Sequence, residues 1–484
     1  MPTSSSCGQT DGYSAPRPCP ASAEKTFQRA LELHRQGEAS SASSLYRRVL
    51  SLCPEHGEAC FFLGLLAAAE GDVEEAIVRF GRARELLPHE PAIAFQLGMT
   101  HCVSGRQEIA IEQFRATLAL DEGHWQAAYN LGTACLAQGR TDEAIQAFHG
   151  AARHNPQDPD IHFNLGLACK KAGRLEEAVQ AYLCAMEIAA DDAEVHYNLA
   201  LAYKELGSRE EAVASLEIAV ALRPDYGAAF GNLGVLYLDL DRVAEAIGCY
   251  RRLVELDHNA AAARHILAAL SGDTTASAPS SYIADLFDGF SGHFEERLLV
   301  DLEYRTPWDL KALLLAATDN GSACVRLLDL GCGTGLVAQV FQDVAAYRVG
   351  VDLSPGMVEI AAAKKLYDRL EVMEIVEFLE QDEEIFDLIV AADVLIYVGA
   401  LEKVFAAIAR RLARGGRLLF STEQMEGEGY CLRRSGRYAH SASYVHALAL
   451  NCGLRVVASE AAILRKEKGG WLRGDLYLLE AAVS

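Results

Sequence analysis

Residues 328–335 read LDLGCGTG, which sets Gly331, Gly333 and Gly335 directly behind an apolar run that starts at Val325. A glycine-rich turn of this kind lets backbone N–H groups approach a phosphate, a dinucleotide or another nucleoside cofactor. Spacing separates the three. A dinucleotide loop, G-x-G-x-x-G/A, requires Gly or Ala at 336, where Leu336 stands. A triphosphate loop requires Gly-Lys-Ser/Thr, which does not follow. Asp329 precedes the first glycine, and Asp352 ends the next strand-like run, 17 residues past Gly335. A carboxylate there can accept from both hydroxyls of a ribose.

Further groups with chemical capacity lie downstream. The stretch LRRSGRYAHSASY (432–444) concentrates Arg433, Arg434, Arg437, Tyr438, His440 and Tyr444. Arg437 can clamp a carboxylate or phosphate bidentately, with Tyr438 beside it on the substrate. His440, with an unperturbed pKa near 6.5, can serve as general base. Glu423 can orient the acceptor. The segment reads as a lid over a pocket, or else as a solvated loop leading into a helix that starts at Ser441. Upstream, His293 and Arg305 either enter the pocket or are ordinary surface groups.

These residues need a scaffold. Strand-like runs are VRLLDL (325–330), RVGVDL (348–353), FDLIVAA (386–392), RLLFST (417–422), LRVVAS (454–459) and DLYLLEAA (475–482). Helical runs lie between several of them. One starts with Ser354 as N-cap and Pro355 in its first turn, and another covers 401–416, closed by Gly415 and Gly416. Alternating strands and helices predict a mostly parallel sheet covered on both faces, with ligands at the carboxyl ends of its strands. The last two runs, lacking a long helix between them, predict an antiparallel finish. Before the sheet, Ile283, Leu286, Phe287, Phe290 and Phe294 share one helical face.

The first half is periodic. Residues 24–261 divide into seven units of 34 residues. Glycine recurs from Gly37 to Gly207 and becomes Asp241 in the last unit, and alanine recurs from Ala42 to Ala246. Glycine suits a turn between two helices, and alanine lets them approach closely. This pattern resembles the tetratricopeptide repeat across all seven units. It implies an all-α superhelix at 24–270, with 262–270 as capping helix and 1–23 as a disordered tail. Residues 271–281, SGDTTASAPSS, read as a flexible linker to a second domain at 282–484. Asn130, Asn164, Asn198 and Asn232 recur at the repeat period. They are similar to the asparagine ladder with which O-linked N-acetylglucosamine transferase grips extended peptide. The alternative is that each bonds locally.

The glycine loop with Asp329, Asp352 and the later GGRLLF strand resembles class I methyltransferases that use S-adenosylmethionine. The resemblance implies a Rossmann-like α/β domain, and implies that Asp329, Gly331, Gly333, Gly335 and Asp352 hold the cofactor. It further implies that Leu353, Met357, Glu374 and Ile375 border the adenine, and that Asp393 and Tyr397, in AADVLIYV, face the reacting methyl. LFDGFSGHFEERL, DVLIYVGAL, FSTE and SGRYAHSASYV are similar to bacterial methyltransferases that carry tetratricopeptide repeats, although Ala400 stands where that family has Asp. The implied function is methyl transfer with the repeats recruiting a protein or peptide, either substrate or carrier. A small-molecule acceptor, with the repeats serving assembly, is the alternative, and an inactive scaffold a third.

Bulk properties bound these readings. The formal charge of −23 disfavours nucleic acid as substrate. No apolar run is long enough for a membrane span, and no signal-peptide pattern opens the chain. Thirteen cysteines without a C-x-x-C pair or a Cys/His cluster suggest buried thiols in a reducing cytoplasm and no metal site.

Overall fold

The computed structural model describes residues 19–257, 260–288, 294–317, 324–467 and 470–482. Most of the expected tail therefore lies outside the described residues. Its end does not behave as a tail: helix α1 (Ala21–Arg35) starts inside it, with Ala23 fully buried. Two compact bodies emerge, residues 1–229 and 230–484, so the division falls within the seventh repeat and not at 271–281.

The first body is a run of paired helices from α1 to α12 (Arg209–Leu222), and α13 (Gly227–Asp239) spans the division. The recurring alanines Ala42, Ala76, Ala110, Ala144, Ala178 and Ala212 are fully buried. The recurring turn glycines hold φ between 74° and 82° from Gly37 to Gly207, and Asp241 keeps the same left-handed turn at 57°. A second glycine position was not singled out by the period. A Cβ on Gly132 would lie 2.7 Å from the ring of Phe148, and one on Gly166 would lie 2.5 Å from that of Tyr182. Gly64 and Gly98 seat the rings of Phe80 and Phe114 in the same way, whereas Ala30 and Ala200 take this position in the first and sixth repeats. Cys135 and Cys169 are buried thiols as expected, but Cys19 and Cys53 form a disulfide, so not every cysteine is isolated.

The second body begins with α14 (Val243–Leu256) and the capping helix α15 (Ala261–Ser271). The segment expected as a flexible linker is bonded into this body. Ala276 O accepts from Gly399 N at 2.9 Å and from Ala400 N at 2.8 Å, and Ala278 N donates to Tyr397 O at 3.0 Å. Its small side chains, chosen as a sign of flexibility, are what let it lie close against another segment. Helices α16 (Ser280–Asp288), α17 (Phe294–Glu296) and α18 (Thr306–Ala316) follow.

Among the described residues the sheet has nine strands: β1 (Cys324–Leu330), β2 (Ala345–Asp352), β3 (Arg369–Val372), β4 (Phe386–Ala391), β5 (Leu412–Gln424), β6 (Tyr430–Leu432), β7 (Tyr438–His440), β8 (Leu454–Glu467) and β9 (Gly470–Ala481). Strands β3, β2, β1, β4 and β5 are parallel neighbours in that order. β9 runs antiparallel to β5 and pairs with β8, the expected antiparallel finish. Helices α19 (Leu336–Val340), α20 (Pro355–Ala363), α21 (Ile375–Gln381), α22 (Glu402–Arg411) and α23 (Ala442–Asn451) complete the body. Along β4, Leu388 and Val390 join one buried cluster and Ile389 the other, so both faces of the sheet are covered.

One boundary moves. Helix α22 ends at Arg411 rather than 416, and LARGG opens β5 as an irregular strand start. Gly415 has φ 69°, and a Cβ on Gly416 would lie 2.8 Å from Ala413 O, so both glycines serve a tight backbone kink and not a helix end.

Candidate functional site

β1 ends at Leu330, and the chain turns at once over the end of β2. Gly331 N donates to Val351 O at 2.8 Å, and Cys332 N reaches the same oxygen at 3.0 Å. Asp352 closes the turn from the far side: its Oδ2 accepts from Gly333 N at 2.8 Å, and its Oδ1 from Ser354 N at 2.9 Å. Ser354 caps α20, as its position before Pro355 suggested.

A cavity of about 280 Å³ opens beside this loop. Gly331, Gly333, Asp352, Leu353, Met357 and Glu374 line it on the β1–β2 side, followed by Ile375. Glu374 Oε2 caps α21, accepting from Val376 N at 2.8 Å and Glu377 N at 2.9 Å. Asp393 and Tyr397 line the β4 side, with Arg437 and Arg465. An added Cβ on Gly333 would meet no atom within 4 Å, so the bare glycine faces open space that a bound group can fill. A carboxylate, glycine backbone without side chains and apolar walls suit a nucleoside with a polar tail.

Ten cofactor positions were expected, and two of them do not reach the cavity. Gly335, at φ 91°, serves as N-cap of α19. Asp329 lies beneath the loop, fully buried, and accepts from Tyr367 Oη at 2.5 Å, while its Oδ1 has no partner among the described residues.

The proposed catalytic and acceptor groups are corrected more heavily. His440 is fully buried in β7 and its Nε2 lies 2.9 Å from Val398 O and 3.1 Å from Gly399 O. Two carbonyl acceptors make that nitrogen the N–H donor. Burial pushes the imidazole down to about 4, and the ring does not line the cavity. It is a neutral clasp for the 398–399 turn and not a general base. Tyr438 is fully buried against Thr275, also off the cavity. Glu423 is fully buried and takes Arg437 Nε at 2.6 Å, Arg433 Nη1 at 3.2 Å and Arg465 Nη2 at 3.2 Å, so it orients guanidinium groups rather than an acceptor. Tyr397 does line the cavity, and burial raises its phenol pKa. The expected lid is a strand pair, β6–β7, from which Arg437 reaches the cavity.

Two sets of groups escaped the sequence. Arg465, inside β8, pairs with both Asp393 and Glu423. Asp393 itself holds φ 57° and exchanges two bonds with Ser421: its N donates to Oγ at 2.9 Å, and Oγ donates to its Oδ1 at 2.8 Å. Ile283 and Phe287 of α16, with Tyr304, roof the cavity. Their shared helical face was legible, but not what it covers. Phe290 and His293 lie outside the described residues, and Arg305 lines a separate surface groove.

Along the repeats, the amide nitrogens of Asn130, Asn164 and Asn198 each donate to the carbonyl four residues back, at 2.7, 2.8 and 2.9 Å. Asn164 also donates to Tyr129 Oη at 3.1 Å, so local bonding occupies both of its donors and one donor each of Asn130 and Asn198, with the side chains half-buried; Asn232, in α13, is half-buried too.

Asp329 sets a pH dependence. Burial raises its carboxyl to about 8, opposed by the Tyr367 bond and reinforced by the Asp352 charge. The folded chain keeps this proton between about pH 4 and about pH 8, where the unfolded chain has lost it. Its stabilising contribution is complete below the unfolded pKa and is lost as pH rises through the folded value. The melting temperature is expected to fall from about pH 5 to about pH 8, and Asp329→Asn to flatten that slope. Thermal melts of both proteins check it. Parallel slopes would sink the assignment.

Comparison with known proteins agrees with both halves. The family described as "Methyltransferase domain" matches residues 328–420. "Tetratricopeptide repeat" matches 21–91, 95–159 and 197–261, and "TPR repeat" matches 166–207. A ubiquinone biosynthesis O-methyltransferase of Coxiella burnetii is 28% identical over 108 residues, covering 22% of this chain and 46% of that protein. The Alkalilimnicola ehrlichii protein of the same description is 30% identical over 109 residues, covering 22% and 44%. The chain thus spans under half the length of these curated relatives. The crystal structure of MamA is 26% identical, covering 35% of this chain and 93% of that one, with a TM-score of 0.34. Among the described residues no helix is long and apolar enough to cross a membrane. One chain thus joins tetratricopeptide repeats over 21–261 to a methyltransferase domain whose family match spans 328–420.

Proposed function

We propose that this chain transfers a methyl group from S-adenosylmethionine and that its repeats recruit a protein or peptide, as substrate or as carrier. The observation that carries the reading is Asp352, held at the cavity edge by Gly333 N and Ser354 N with lone pairs left for ribose hydroxyls. Gly331 and Gly333 would hold the amino-acid and sugar portions, and Leu353, Met357 and Ile375 the faces of the base. Bound there, the cofactor supplies an electrophilic methyl on sulfonium. The residues around it supply alignment and exclusion of water. Among the described residues lining the cavity there is no imidazole, and Asp393 is committed to Arg465 and Ser421. An acceptor that brings its own lone pair fits this wall better than one that must be deprotonated. A small acceptor is the second reading, favoured by the roof that Ile283 and Phe287 form over the cavity.

The test has two stages. Calorimetric titration with S-adenosylhomocysteine is expected to give saturable heat, and its absence would end the enzyme reading. Labelled methyl transfer into cell extract, split into macromolecules and small molecules, then separates the two acceptors. Label confined to small molecules would reject methylation of the recruited protein.

A further inference from the structure

Helix α16 is fastened at both ends. At its start, the 276–278 segment is bonded to Tyr397, Gly399 and Ala400 beyond β4, and Tyr282 packs on His265 of α15 with ring centroids 5.1 Å apart. At its end, Asp288 Oδ1 accepts from Ser354 Oγ and, at 3.3 Å, from Gly356 N. Between these anchors Ile283 and Phe287 face the cavity, and the Phe287 ring meets Tyr397 edge-on at 5.7 Å. The helix therefore bridges the β4 side of the cavity to the β2 side.

Ser354 is the shared fastening. Its Oγ donates to Asp288 and accepts from Met357 N at 3.1 Å, while its N donates to Asp352 at 2.9 Å. Asp352 in turn takes Gly333 N at 2.8 Å. One chain of bonds thus links the end of the roof helix to the carboxylate assigned to ribose and to the glycine loop. An anionic acceptor at the start of α20 is also favoured by the helix dipole.

Resting on the cofactor assignment made above, we propose that Asp288 is a positioning residue, a latch that lays α16 across the cofactor and keeps Ile283 and Phe287 over it. Asp288 acts through Ser354 and the helix it closes. Opening the latch would leave the nucleoside pocket formed but unroofed, so the loss would fall on cofactor affinity and on protection of α16, with the glycine loop intact.

The experiment titrates S-adenosylhomocysteine into the full chain as wild type, Asp288→Ala and Asp288→Asn, and follows hydrogen exchange of residues 280–288 with and without it. Removing the charged acceptor is expected to weaken binding about tenfold in Asp288→Ala. Asp288→Asn keeps an oxygen acceptor and is expected to stay within about threefold of wild type. Ligand-induced protection of 280–288 is expected in wild type and Asp288→Asn and absent in Asp288→Ala. Wild-type affinity and protection in Asp288→Ala would overturn the latch while leaving the cofactor assignment standing. Equal losses in Ala and Asn variants would also overturn it. A wild type that binds no S-adenosylhomocysteine would bring down the assignment and the latch together.

Discussion

Gly331→Ala is expected to abolish binding of the proposed cofactor and to lower the stability of the second body. Two costs coincide at this position. Gly331 holds φ 67°, where an L side chain costs about 1–2 kcal/mol. Its Cβ would also lie 2.3 Å from Val394 Cγ2 and 3.1 Å from Cγ1, in a core that loses about 1–3 kcal/mol when overpacked. Val394 leads directly into the turn Leu395–Tyr397, so any relief pushes that turn into the cavity or lifts the glycine loop off Val351. Either movement destroys the pocket. Gly333→Ala is the informative contrast. At φ 51° it pays the backbone cost, but its Cβ meets nothing within 4 Å. It is expected to cost only about 1–2 kcal/mol in stability while filling the space beside the loop. Titration with S-adenosylhomocysteine and urea unfolding of both variants check the pair. A Gly331→Ala protein with wild-type stability and affinity would show that Val394 is not packed on the loop.

What the sequence made legible has a common physical character. The repeats could be read because their period is local: each glycine and alanine recurs in register with its own turn and helix contact. One wall of the cavity could be read for the same reason. Gly331, Gly333, Asp352, Leu353, Met357 and Glu374 lie at or within a few residues of the carboxyl ends of strands, where such sheets bind ligands. Even the roof helix announced its apolar face through Ile283 and Phe287.

The ion pairing on the β4 side could not be read, because it is assembled from distant pieces. Asp393, Glu423, Arg437, Arg465 and Glu467 come from the ends or interiors of four separate segments, and no spacing links them. His440 misled for a related reason. An imidazole reads as a base only until its partners are known, and here both are carbonyl oxygens of a buried turn. The 271–281 segment misled by composition. Small residues signal slack in isolation, yet they also permit the close backbone pairing that Ala276 and Ala278 make with 397–400.

Glu423→Ala is expected to be the most destabilising single substitution in the second body. Three guanidinium groups converge on this one carboxylate, and it is fully buried. Their side-chain exposures differ, at 35% for Arg433, 17% for Arg437 and 9% for Arg465. Arg433 can turn to water once released. Arg465 cannot, and Asp393 would be left as its one partner among the described residues. Removing one member of a buried ion pair costs about 3–5 kcal/mol, because the remaining charge stays desolvated. Glu423→Gln keeps the size and an oxygen acceptor but not the charge, so it is expected to lose less than the Ala variant. The argument also predicts coupling. Adding Arg437→Met to Glu423→Ala removes a half-buried cation that has lost Glu423 and keeps only its pair with Glu467 among the described residues, so the double variant should be less destabilised than the two single losses summed. Urea unfolding of the four proteins measures this. The competing reading, in which Glu423 orients the acceptor, predicts lost methyl transfer at unchanged stability, and additive losses with Arg437→Met. That outcome would return Glu423 to the cavity wall, from which its burial and its three arginine partners now separate it.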